Sequence, residues 1–257
     1  MTPDTSDERH AALEGRPSAN APTALVTQLL TAVRELTIVP APGAAEDARG
    51  ESALFFPLVG LALGGAMLAV SSWLPAALPP AICAALVIAT SILLTGGRHL
   101  RGLARTATLP GCASDGAVGA RGLVVVAVVV LAQVAVLARL TGGVLVAGLL
   151  FAPTLSRWSM VAFAFGSRAA RGAAADDHSL RAIKFREFAG ASVLALGITL
   201  AYTEAWGLVV IIAVGILAIG GRVLVHTRWG GVTRPLVDTI GVCNETLALA
   251  VFWLAAA

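Results

Sequence analysis

The sequence predicts an all-α, polytopic transmembrane bundle of about seven spans with its amino terminus in the cytoplasm. Three observations predict it. Apolar residues make up 57% of the 257 and charged residues 13%, against roughly 45–50% and about 25% in soluble domains. Too many of the helical stretches lack a polar face for a water-soluble all-α protein. And sixteen of the eighteen Lys and Arg fall on one side of the resulting topology, the side that stays in the cytoplasm.

Residues 1–23 are polar, rich in Ala, Pro, Asp and Glu, and without the apolar centre of a signal peptide, so they read as a disordered cytoplasmic tail. The integral domain then runs over 24–257. From Ala24 to Val39, Leu25, Leu29, Leu30, Val33 and Leu36 recur at helical spacing, with Arg34 and Glu35 off the stripe. Thr23 can cap this segment and Pro40 ends it. It is too short and polar to span, which places an amphipathic helix on the membrane surface or under the bundle. A span needs about 20 mostly apolar residues. The candidates are Phe55–Leu74, Leu78–Thr95, Gly122–Leu140, Val144–Phe165, Phe188–Tyr202, Ala205–Val225 and Ile240–Ala256. Only Arg139 lies on the far side, and Arg157 falls inside a span. Cys83, Cys112 and Cys243 have no metal-like spacing and read as small apolar residues. The net charge of +3 is a matter of membrane orientation, and no nucleic-acid partner is expected.

The polar groups able to act gather on the cytoplasmic face. After the second span the chain reads Thr95-Gly-Gly-Arg-His-Leu-Arg-Gly-Leu-Ala-Arg-Thr106, then Ser114-Asp-Gly-Ala-Val-Gly119. Gly96, Gly97 and Gly102 permit positive φ and close backbone approach, both useful around phosphate. Arg101, Arg105 and His99 add cationic donors suited to a phosphate-bearing substrate. A solvated basic loop held near anionic lipid headgroups satisfies the same composition. Before the last span lie Gly230, Gly231 and Asp238, and within it Asn244 and Glu245. Ionisable groups at membrane depth are expensive and by default functional candidates. That rule selects Glu245 and Arg157, for which a mutual ion pair is the structural alternative.

These segments resemble a known family. Phe55-Phe-Pro-Leu-Val-Gly-Leu-Ala-Leu-Gly64 is similar to the first-span signature of the cobalamin synthases, the adenosylcobinamide-GDP ribazoletransferases. Thr95-Gly-Gly-x-His-Leu-x-Gly-Leu-Ala-x-Thr106, Asp115-Gly-x-x-Gly119, Leu155-Ser-Arg-Trp158, Gly230-Gly-Val-Thr233, Asp238-Thr-Ile-Gly241 and Asn244-Glu245 follow in the family's order. The resemblance implies a multi-pass enzyme of the bacterial inner membrane that joins α-ribazole, or its 5′-phosphate, to adenosylcobinamide-GDP, releasing GMP and using Mg2+. It assigns catalysis to His99, Asp115 and Asp238, and metal binding to Asp115, Asp238 and Glu245. Substrate binding falls to Gly96, Gly97, Arg101, Gly102, Arg105, Arg157, Gly230, Gly231 and Asn244. The chain also departs from the pattern. Arg101, Arg105 and Thr108 stand where the family carries aspartates, and an arginine cannot ligate magnesium. Three readings follow: a divergent transferase, an impaired relative that binds a corrinoid or another phosphate-bearing ligand, or an unrelated transporter or scaffold. The hydropathy pattern shows no inverted repeat of the transporter kind.

Overall fold

The computed structural model describes residues 21–45, 48–108, 118–168, 170 and 183–256. Among these residues the elements are all helical. They are α1 (Ala21–Leu36), a one-turn α2 (Arg49–Ser52) leading into a 3-10 turn (Ala53–Phe55), α3 (Phe56–Trp73), α4 (Pro80–Thr95), α5 (Arg98–Thr108), α6 (Ala120–Leu137), α7 (Gly142–Ala164), α8 (Phe185–Trp229) and α9 (Arg234–Ala256). Five helices are long and apolar enough to cross a membrane, and α4 with α5 makes a sixth if that bent pair is one span. The chain is a multi-pass membrane protein.

The centre of the bundle is α7, buried along almost all of its length from Ala147 to Ala164, with α3, α8 and α9 packed around it. In lipid, helices associate through close packing of small residues rather than through a hydrophobic drive. The pair Gly60 and Gly64 on α3 does this. A Cβ on Gly60 would lie 2.6 Å from the Pro153 carbonyl oxygen, and one on Gly64 would meet the Leu149 carbonyl. Pro153, inside α7, has no N–H for the carbonyl four residues back, so the oxygen it leaves free is the one Gly64 covers. The outward faces are apolar: Leu123, Val124, Val128 and Leu131 on α6, and Ile212, Ile216, Ile219 and Val223 on α8, are exposed.

At 1.5 Å per residue a straight α8 would be about 68 Å long, roughly twice the hydrocarbon thickness. It is not straight. Glu204 has φ 51° and ψ −136°, and α7 touches both halves at matching levels. Trp158 Nε1 donates to Ser192 Oγ at 3.0 Å, while the far edge of the Trp158 ring faces Gly215. Phe165 stacks on Phe188 with centroids 4.6 Å apart, and next to it Arg222 donates to the Gly166 carbonyl at 3.1 Å. The halves are therefore antiparallel, reversed at Glu204.

One expectation is corrected. The segment after the second span is a helix rather than a glycine-rich loop. Gly96 and Gly97 (φ 61° and 63°) close α4 with bonds from Gly97 N to Ile92 O and from Gly96 N to Leu93 O, 2.9 and 3.0 Å, the pattern of a left-handed C-cap. The chain then turns by 89° and α5 lies across the end of the bundle. α1 packs against the protein with apolar and polar side chains alike. Leu25 and Val26 are exposed, while Gln28, Thr31, Ala32 and Leu36 are buried, and Val33 packs against the core. Gln28 donates to Glu51 at 2.6 Å, and Thr31 Oγ1 accepts from the Ala45 N–H at 3.1 Å.

Candidate functional site

The seam between α5 and the start of α9 is where the sequence-selected residues converge. A Cβ on Gly102 would collide with the Asp238 side chain, so a glycine is needed for α5 to approach α9 this closely. Gly122 does the same for α6 against the Ala104 carbonyl. Thr239 Oγ1 lies 2.9 Å from Thr106 Oγ1, pinning the far end of the seam. Across it, His99 Nδ1 lies 2.8 Å from Asp238 Oδ1, and both residues are buried. A carboxylate only accepts, so Nδ1 carries the proton and the neutral ring presents a lone pair at Nε2. That atom is enclosed and has no partner among the described residues.

One layer deeper, Arg157 on α7 is 1% exposed. Its Nη1 donates to Glu245 Oε2 at 2.7 Å and to Ser156 Oγ at 2.8 Å, and the Ser156 hydroxyl donates to the Gly241 carbonyl at 2.8 Å. A cavity of about 30 Å³ joins the two layers, lined by Ser91, Thr95, His99, Gln133, Arg157 and Glu245 among others. It is the size of a water molecule. Neither amide atom of the fully buried Asn244 has a protein partner.

The outer face of α5 is cationic. Arg101 is exposed and donates to the Gly96 carbonyl at 3.1 Å. Arg105 is half-buried, with an enclosed and unpartnered Nε. Arg98 donates to the carbonyls of Arg34 and Glu35 at 2.9 and 3.0 Å, a cation on the carbonyl end of α1 where the helix dipole favours it. Glu35 lies 3.7 Å from Arg49 and 3.9 Å from Arg234. Burial pushes its carboxyl above the usual range, opposed by Arg234, Arg49, Arg34 and Arg98.

The profile of the cobalamin-5-phosphate synthase family matches residues 28–257. The chain belongs to this family. Similar relatives are the adenosylcobinamide-GDP ribazoletransferases of Geotalea daltonii, 29% identical over 85% of this chain and 93% of theirs, and Pseudomonas savastanoi pv. phaseolicola, 33% identical over 79% and 86%. That of Roseiflexus sp. is 29% identical over 88% of each. No solved structure matches.

Within this cobalamin-5-phosphate synthase relative, the residues nominated from sequence separate into groups. His99, Gly102 and Asp238 meet at the seam. Arg157 and Glu245 pair with each other. Gly96 and Gly97 cap α4, and Gly230 (φ 73°) caps α8 through His226 O. Gly231 is buried in the turn whose next residue, Val232, donates to the Arg168 carbonyl at 2.7 Å. Asp115 lies outside the described residues. The magnesium that the resemblance implies does not fit the residues described. Asp238 is committed to His99 and Glu245 to Arg157, and among the described residues no three His, Cys, Asp or Glu side chains group to hold a metal. Gln133, which donates to Thr246 Oγ1 at 3.1 Å and lines the cavity, escaped the sequence reading. Its signal was there: an amide inside a valine run, visible to the same depth rule that selected Arg157.

Proposed function

We propose that this chain transfers α-ribazole, or its 5′-phosphate, to adenosylcobinamide-GDP with release of GMP, as a seven-span protein of the bacterial cytoplasmic membrane. The observation that carries this reading is the family match over nearly the whole chain, with relatives named for that reaction. In the transfer, a ribazole hydroxyl oxygen bonds to the phosphorus bearing the corrinoid side chain, the bridge from that phosphorus to GMP breaks, and the hydroxyl proton must leave. His99 suits the last task. Asp238 fixes its tautomer and leaves Nε2 basic, the arrangement of a general base oriented by a carboxylate. The rest is positioning and charge neutralisation of phosphate, for which the α5 face is cationic. The one-sided distribution of Lys and Arg supports the orientation.

Complementation of a strain lacking the synthase tests the reaction, read as formation of a corrinoid carrying the nucleotide loop. His99→Gln and Asp238→Asn should each abolish or strongly reduce it. Normal cobalamin formation by His99→Gln would remove His99 from the mechanism, and failure of the native chain in isolated membranes supplied with both substrates would remove the transfer. The second reading, a relative that binds without transferring, draws on Arg101 and Arg105 at the family's aspartate positions. Binding without turnover in those membranes is its signature. For topology, single cysteines at Arg139 and Arg228 in a cysteine-free background should differ in whole cells. An impermeant thiol reagent labels the first and spares the second, and the reverse pattern inverts the orientation.

A further inference from the structure

Among the described residues, Asp238 and Glu245 are committed to His99 and Arg157, whereas two guanidinium groups on α5 have no acidic partner. Glu35 lies between Arg49 and Arg234, Arg98 holds the end of α1, Arg157 is on Glu245, and Arg186 is on Glu187 at 2.9 Å. Arg101 and Arg105, one helical turn apart, have no acidic partner among the described residues. Arg101 gives one N–H to the Gly96 carbonyl, which leaves most of its five donors open. Arg105 has its Nε enclosed without an acceptor among the described residues, and an unmet buried donor is costly. α5 carries no Asp or Glu. Arg121 stands beside Gly122, which packs on the Ala104 carbonyl of α5, so a third cation adjoins the same helix.

We propose that Arg101 and Arg105 hold the diphosphate of the nucleotide-linked substrate directly, in place of a divalent cation on carboxylates. The inference deepens the transfer reading and rests on it for the identity of the substrate. The chemistry favours it on two counts. A guanidinium presents paired N–H groups that match two phosphate oxygens, and two such groups supply the charge that a divalent ion would bring. The same pair repels a divalent ion that approaches α5.

The test uses the full chain in nanodiscs of zwitterionic lipid, with calorimetric titration of adenosylcobinamide-GDP and, separately, inorganic pyrophosphate. Each titration is run with EDTA and with Mg2+. Both probes should bind in EDTA, with little change when magnesium is added. Arg101→Ala with Arg105→Ala should weaken both by about tenfold or more, while the paired lysine variant should retain part of the affinity. The comparison of EDTA with magnesium is made on the native chain, so it stands even if the alanine variant fails to fold. A strict magnesium requirement, full affinity without the two arginines, or no binding of either probe in EDTA would overturn the proposal. So would binding that appears only when the arginines are titrated with anionic lipid, since the headgroup would then be their ligand. Pyrophosphate binding that depends on the arginines, without adenosylcobinamide-GDP binding, would uphold the phosphate site and defeat the transfer reading. Electron paramagnetic resonance of Mn2+ gives a readout apart from activity. A bound Mn2+ signal in the native chain with adenosylcobinamide-GDP would also overturn the proposal.

Discussion

Replacing Glu245 by Gln leaves the Arg157 guanidinium charged, buried and without its counter-ion. The pair is 2.7 Å apart, with side chains 2% and 9% exposed, and Arg157 lies about 10 Å along α7 from its carboxyl-terminal end at 1.5 Å per residue. The cavity beside the pair is only about water-sized, so solvent replaces the carboxylate at most in part. Breaking a buried pair from one side costs about 3–5 kcal/mol, whereas exchanging both partners for apolar residues of similar volume is often near neutral. Ser156 and the Gly241 carbonyl are uncharged acceptors and recover only part of the loss. The expected order of stability is native ≈ Arg157→Met/Glu245→Leu > Glu245→Gln, with a coupling energy of about 2 kcal/mol or more from the complete cycle. Thermal unfolding of the detergent-solubilised chain, followed by the burial of native cysteines, measures it, and transfer activity is read on the same samples. If Glu245→Gln melts like the native chain yet loses transfer, Glu245 acts on substrate or metal and its pairing with Arg157 is not what it is for. If the double variant is stable but inactive, the pair has a role in the reaction that packing does not exhaust.

Other changes probe neighbouring features. Gly102→Ala places a methyl against Asp238 and should lower stability by about 1–3 kcal/mol while reducing transfer, because α5 must lift and stretch the bond between His99 and Asp238. An unchanged melting temperature and rate would show that the seam is slack. Glu204 is exposed and holds a conformation suited to glycine, so Glu204→Gly should stabilise by about 1 kcal/mol through relief of strain. A lower melting temperature would mean that the glutamate side chain matters more than its backbone. The folded-state pKa of Glu35 is raised above 4.5, so folding binds its proton more tightly. Its contribution to stability is therefore full below that value and declines as pH rises through the folded pKa. Glu35→Gln should remove that decline, and identical pH profiles for variant and native chain would contradict the burial argument.

Composition and hydropathy determined the membrane bundle. Leu, Val and Ala in runs such as Val124–Val130 have no soluble use, and the positions of Lys and Arg order the runs with respect to one side. Even the break at Glu204 was legible, because Tyr202-Thr-Glu204 is the polar interruption in an otherwise apolar stretch. The depth rule also singled out Arg157 and Glu245, and the ordered motifs named the family. What sequence alone left open was pairing, because a partner is set by which helix faces arrive together. Glu245 and Asp238 sit on one helix seven residues apart, which is as compatible with one metal as with two separate partners. Packing decided for two, since Gly60 and Gly64 bring α7 inward with Arg157, and Gly96 and Gly97 fold α5 over so that His99 reaches Asp238. The same glycines, read locally, offered room for phosphate. Only the tertiary structure shows that their missing side chains admit a neighbouring helix or a left-handed cap, because steric permission in the sequence does not say what will come to occupy the space.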